Sequence, residues 1–153
     1  MPYRFPRDSF SRQAGTRSGL GLVVLRERVG ASVGWVAAAA GVTERTVYRW
    51  EHDLPGGGPH VPAYVWEGLV EVADFQEAMA DRLLAGAAGV SEHVDGVLVV
   101  NVAALEWVLE GWSPQMCRAV LGLLLLRAEC RFVREVTGVP SVAPEEKDPP
   151  ISY

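Results

Sequence analysis

The sequence predicts a mainly α-helical protein: a small helical unit in the N-terminal half, then a compact α+β unit of strand-helix-helix-strand order. Three observations point that way. In SVGWVAAAAGVTERTVYRWE, residues 32–51, an alanine-rich helical run stops at a single glycine and restarts after a threonine. From about Pro62 to Ala85, apolar side chains recur at three- and four-residue intervals. Beyond Gly86–Ser91 the period changes and β-branched runs such as GVLVVN begin. At 153 residues and 49% apolar content, the chain has the material for a core.

Residues 1–16, MPYRFPRDSFSRQAGT, carry no hydrophobic period and read as a flexible basic arm. From Ser18 to Val29, Leu20, Val23, Val24 and Val29 are expected to form the apolar face of a first helix, which Gly30 stops. Ser32 is the expected N-cap of a second helix ending at Gly41, and Thr43 that of a third running to about His52. LPGGGPHVP, residues 54–62, cannot continue a helix. The fourth helix opens at Pro62, where a missing N–H costs nothing, and carries Val65, Leu69, Val72, Ala73, Met79 and Leu83 opposite Glu67, Glu71, Asp74 and Asp81.

After a short linker at Gly86–Ser91, Val97–Val100 reads as a buried strand and Ala103–Glu110 as a short helix. A turn at Gly111–Pro114, with Ser113 as cap, opens a longer helix to about Glu129, and Arg131–Val136 reads as a second strand. The proline-rich, acidic residues 138–153 read as a disordered tail.

The net charge of −5 hides a division. Residues 1–52 carry eight arginines against four acids, and the remainder carries six basic against fifteen acidic side chains. A polyanion is therefore a plausible partner only for the N-terminal part. Cys117 and Cys130 are separated by about 19 Å if they lie on one helix, beyond disulfide reach, and read as small buried residues. The N-terminus has no apolar run behind its basic residues, and the run from Ala119 to Leu126 is too short to span a bilayer, so a cytoplasmic protein without membrane contact is expected.

No chemistry-bearing motif argues for an enzyme. GGGP at 56–59 lacks the lysine of a phosphate loop, and His52, His60 and His93 lack metal-ligand spacing. No cofactor, metal or small-molecule ligand is expected.

The stretch at 32–51 has the form of two short helices crossing at a steep angle around a glycine corner, a helix-turn-helix. Gly41 supplies the left-handed corner, Ala37 the close approach, and Val36, Ala40, Val47 and Trp50 a shared core, which leaves Glu44, Arg45, Thr46, Tyr48 and Arg49 outward. From about Leu20 to Leu54 the chain resembles the Cro and phage-repressor (XRE-type) family in the ordered set Ala37, Gly41, Val42, Thr43, Thr46, Val47, Trp50 and Glu51.

That resemblance implies a sequence-specific DNA-binding protein whose third helix enters the major groove. It assigns base contacts to Glu44, Arg45, Thr46 and Arg49, and phosphate contacts to Ser32, Val33, Thr43 and Tyr48, although the family often has glutamine where Val33 stands. Arginine suits guanine O6 and N7, glutamate the cytosine N4 amine, and threonine the thymine methyl. Arg26 and Glu51 match a pair that is an internal staple in the family rather than a DNA contact. Arg4, Arg7, Arg12 and Arg17 either follow the DNA backbone or minor groove or belong to a solvated terminus. The loop HDLPGGGPH is nearly devoid of cations, which favours binding as a dimer.

On this reading residues 17–88 are the DNA-binding domain with its long connecting helix, and residues 91–137 are an α+β dimerisation domain. The helix from Met116 to Leu126 is apolar on nearly all sides, so a partner chain is expected to cover Met116, Val120, Leu123 and Leu124; the fourth helix of the same chain is the competing cover. The order of features also resembles the repressors associated with anti-CRISPR operons, in Gly111, Pro114, Arg118, Ala119 and Val120 followed by RFVREV. The implied function is a homodimeric autorepressor on an inverted-repeat operator. The alternative is an antitoxin-type module whose acidic half binds a protein partner while the first half autoregulates.

Overall fold

A computed structural model describes residues 3–7, 19–52 and 61–134. It is mainly helical with a small sheet: α1 (Gly19–Val29), α2 (Val33–Ala40), α3 (Glu44–Glu51), α4 (Ala63–Leu84), β1 (Ser91–Val94), β2 (Val97–Asn101), α5 (Val102–Val108), α6 (Pro114–Leu125) and β3 (Cys130–Val133). Local chemistry sets the helix starts. Ser32, Thr43, Asn101 and Ser113 each accept a hydrogen bond from a first-turn N–H, those of Trp35, Thr46, Ala104 and Met116 respectively.

α1 turns inward a face that keeps Val29 of the expected set but not Leu20 and Val24. Leu20 and Val24 are 69% and 60% exposed, whereas Leu22 and Val29 are fully buried and Leu25 is half-buried. The cause is Arg26, which must face Glu51 of α3; Leu22, Arg26 and Val29 share one helical stripe at i, i+4 and i+7 and go in together. Gly19 shares that closeness, since a Cβ there would lie 2.3 Å from the Trp50 carbonyl oxygen.

α4 joins two apolar clusters. Its first half packs Val65, Leu69 and Val72 with Leu22, Val29, Val36, Val47 and Trp50, and its second half packs Met79, Ala80 and Leu83 with the sheet, α5 and α6. Fully buried Gln76 lies between them, donating from Nε2 to the carbonyls of Val29 at 2.8 Å and Met116 at 3.3 Å. Gly30 abuts the first turn of α6, where an added Cβ would sit 2.5 Å from the Gln115 carbonyl oxygen. The Trp35 indole donates to Gly111 O at 3.1 Å, and Arg28 and Arg127 both pair with Glu77. The second half is thus clamped to the first rather than hung from a linker.

That packing also corrects the expected use of α6. Met116 is fully buried in the cluster of α1–α4, and Val120 and Leu124 are fully buried against α4, α5 and the sheet, so they are not free to meet a partner; Leu123 is half-buried beside them. The outward stripe is Arg118, Gly122 and Leu125. Gly122 and Leu125 made the helix look apolar all round, yet one opens onto empty space and the other is 57% exposed. α6 stops at Leu125, short of the expected Glu129.

The sheet has the order β1-β2-β3, antiparallel and then parallel. β1 begins at the last residue of the expected linker and covers residues 92–94, for which no strand was expected. Its two-residue turn to β2 is Asp95-Gly96, both with positive φ (52° and 82°), the geometry that keeps hairpin strands twisted correctly. β3 spans 130–133; the expected extension to Val136 and the tail 138–153 lie outside the described residues, as do Arg12 and Arg17.

Candidate nucleic-acid interface

The corner between α2 and α3 is closed by backbone hydrogen bonds. Gly41, at φ 72°, donates to Ala38 O, and Val42 donates to Ala37 O at 3.0 Å, the paired ending that a left-handed glycine makes possible. Thr43 then caps α3, its Oγ1 3.3 Å from Thr46 N and 3.1 Å from Thr46 Oγ1. Val47 and Trp50 are buried beneath the corner with Val36, Ala37 and Ala40.

The opposite side of α3 is open. Glu44, Arg45, Tyr48 and Arg49 are exposed and, with His52, border a shallow concavity of about 520 Å³. Thr46 is half-buried, with its hydroxyl engaged by Thr43. The two guanidiniums, one helical turn apart at i and i+4, form one cationic ridge.

Two expected phosphate contacts differ in kind. Ser32 is exposed, and its oxygen accepts from Trp35 N at 3.0 Å, leaving the hydroxyl proton available. Val33 is half-buried and packs its side chain against the core, so a phosphate contact there would have to use its backbone N–H at the first turn of α2. Glu44 reaches back to the same helix end: a Cβ built on Gly34 would lie 2.9 Å from Glu44 Oε1 and 3.8 Å from Ser32 Oγ. A carboxylate there complements the positive end of α2.

Arg26 and Glu51 pair at 2.5 Å with side chains 15% and 4% exposed, and Arg26 Nη1 also donates to Ala31 O at 3.1 Å. Arg26 therefore faces inward, away from the ridge.

The expected flexible arm is corrected for the residues described. Residues 3–7 lie as a strap along α2. Phe5 N donates to Ala39 O at 3.0 Å, Arg4 to Ala38 O at 2.6 Å and Arg7 to Ala40 O at 3.1 Å. Tyr64 Oη also donates to Ala40 O, and the Arg7 guanidinium stacks over the Tyr64 ring. Three cationic or hydroxyl donors thus satisfy the carbonyls that a helix C-terminus leaves open. Phe5 is buried in a notch formed by Gly68, and Tyr3 stacks on Trp35 at 5.4 Å. Burial, then the nearby Glu71, pushes the Tyr3 phenol above its ordinary range and keeps it neutral. No hydrophobic period exists over so short a segment, and the one available signal was the pair of aromatics, Tyr3 and Phe5, between the basic residues.

Among the described residues no cluster of His, Cys, Asp and Glu could hold a metal ion, and no helix is long and apolar enough to cross a membrane. Cys117 is buried and Cys130 half-buried, and burial raises both thiols above their usual range. No protein-family model and no curated protein matches the chain, so its likeness to the Cro and phage-repressor family rests on the residues themselves.

Proposed function

We propose that the protein is a sequence-specific DNA-binding regulator, acting as a homodimeric repressor on an inverted-repeat operator. α2 and α3 form its helix-turn-helix, and α3 is the element that enters the major groove. The observation that carries the reading is the division of α3 into two sides: Val47 and Trp50 buried beneath a glycine corner, and Arg45 and Arg49 exposed one turn apart. Outward charge is common on surface helices, and what supports the reading is that both arginines lie opposite Val47 and Trp50 on a helix that follows a glycine corner.

Arg45 and Arg49 read guanine edges, Glu44 accepts from a cytosine amine, and Thr46 meets a thymine methyl. Ser32, Thr43, Tyr48 and the Val33 N–H hold phosphates, at a helix end whose favourable field for anions Glu44 partly offsets. Arg4 and Arg7 act chiefly on the C-terminus of α2, consistent with their bonds to Ala38 and Ala40. So few cations support modest affinity per subunit, and two subunits on half-sites about 34 Å apart supply the rest. Bound over a promoter, such a dimer represses by excluding polymerase.

Selection from random duplexes followed by footprinting tests this directly. The expected outcome is enrichment of an inverted repeat, a footprint over both halves, and an affinity that falls steeply with salt. Failure to enrich any sequence, with no retention of duplex DNA at low salt, would sink the proposal.

A further inference from the structure

The outer face of the sheet is patterned for a copy of itself. β2 turns Leu98 and Val100 into the core, so Val97 and Val99 point the other way and are only half-buried. Strand register puts Glu92, Val99 and Arg131 side by side in one row across β1, β2 and β3, and Val94 beside Val97 in the next. Glu92 and Arg131 are both exposed, neither is ion-paired among the described residues, and Val94 is 39% exposed. Glu92, Val94, Val99 and Arg131 border a shallow trough of about 290 Å³.

We propose that this face is the two-fold interface between two copies of the chain. A row reading acid, valine, base becomes self-complementary under one particular symmetry operation. A two-fold axis parallel to β2 and lying between two facing sheets inverts the order across the strands, which sets Glu92 of each copy over Arg131 of the other and valine upon valine between them. An axis perpendicular to the strands would set glutamate on glutamate and arginine on arginine. The charges thus select the orientation of the axis as well as the face.

Strand spacing and rise give three strands of four residues a projected patch of roughly 200 Å². That is well below the ~800 Å² per partner of a stable complex. The dimer is accordingly weak and concentration-dependent in free solution, and adjacent DNA half-sites assemble it. This inference rests on the dimeric reading above but replaces the buried face of α6 with an exposed one.

Sedimentation equilibrium of the full chain without DNA, over a wide concentration series, tests it. The wild type should self-associate at high concentration. Glu92→Arg alone and Arg131→Glu alone should each raise the dimer dissociation constant about tenfold or more, since like charges then face each other twice. An equimolar mixture of the two variants should regain association as a heterodimer in which every acid again meets a base. Both sites are exposed, so thermal unfolding of each variant should match the wild type. A monomeric wild type at every concentration, single variants that associate normally, or a mixture without recovery would overturn the interface. A monomeric wild type that still footprints an operator would overturn the interface alone, and a charge-dependent dimer that binds no DNA would overturn only the regulatory reading.

Discussion

Arg26 of α1 and Glu51, the last residue of α3, meet at 2.5 Å with the carboxylate side chain 4% exposed. The pair ties the first helix to the end of the third and sets the rotation of α1. Removing one partner strands a charge in the core, a loss of about 3–5 kcal/mol, whereas replacing both by apolar groups of similar size costs much less. Arg26→Met alone should therefore lower the urea midpoint strongly, and Arg26→Met with Glu51→Leu should recover most of it. A single-variant loss below about 1 kcal/mol would class the pair with surface bridges.

At a selected operator, Arg45→Ala should cost about 1–3 kcal/mol and relax preference at one base position, because a bidentate guanine contact is lost. Binding to random duplexes should change little. Equal losses on operator and random DNA would reassign Arg45 to phosphate. Arg49→Ala, one turn further along, should relax a different position.

Glu44 lies against Gly34 at the start of α2, where a DNA phosphate would otherwise find a favourable field. On the proposed reading its charge would oppose the DNA backbone and penalise sites that offer no cytosine amine. Glu44→Gln should strengthen binding to random DNA and steepen its salt dependence by up to about one unit of log-log slope. Gly34→Ala should move the same way, since the new Cβ would come within 2.9 Å of Glu44 Oε1 and displace a flexible side chain. An unchanged salt slope in both variants would reduce Glu44 to packing.

The helix ends were legible in the sequence because short-range chemistry governs them. Ser32, Gly41, Thr43 and Ser113 act within one helical turn, and helix ends built on such contacts can be read from neighbours alone. β1 was not legible as a strand: SEHV lacks alternation, and its place depends on Ser91 Oγ donating to Leu83 O and on pairing with β2. The Arg26–Glu51 pair was legible through the family resemblance, but its consequence for which face of α1 turns inward could not be drawn from the apolar period alone. The cover of α6 depended on where α4 ends up, so an apolar helix that invited a partner found one in its own chain. Leu124→Ala should accordingly cost about 2–5 kcal/mol of folding stability and leave the dimer constant of the folded chain unchanged.

The strap makes the last prediction, and it concerns the packing of Phe5. Phe5 is 4% exposed, and its ring occupies the space that a side chain at position 68 would need: a Cβ on Gly68 would lie 2.2 Å from Phe5 Cδ1. Neither side can yield cheaply, because α4 is held along this same side by buried Val65, Leu69 and Val72, and Phe5 N is bonded to Ala39 O. Phe5→Ala should cost about 3–5 kcal/mol through the cavity it leaves. Gly68→Ala should destabilise by expelling the ring, despite alanine's better helix propensity. In the double variant Phe5→Ala/Gly68→Ala, the new methyl enters space already vacated, so the combined loss should be clearly smaller than the sum of the singles. Urea denaturation of the four proteins measures the coupling. Strict additivity, or a Phe5→Ala loss of only a few tenths of a kcal/mol, would mean that the ring does not sit in the notch and that α2 holds its corner without the strap.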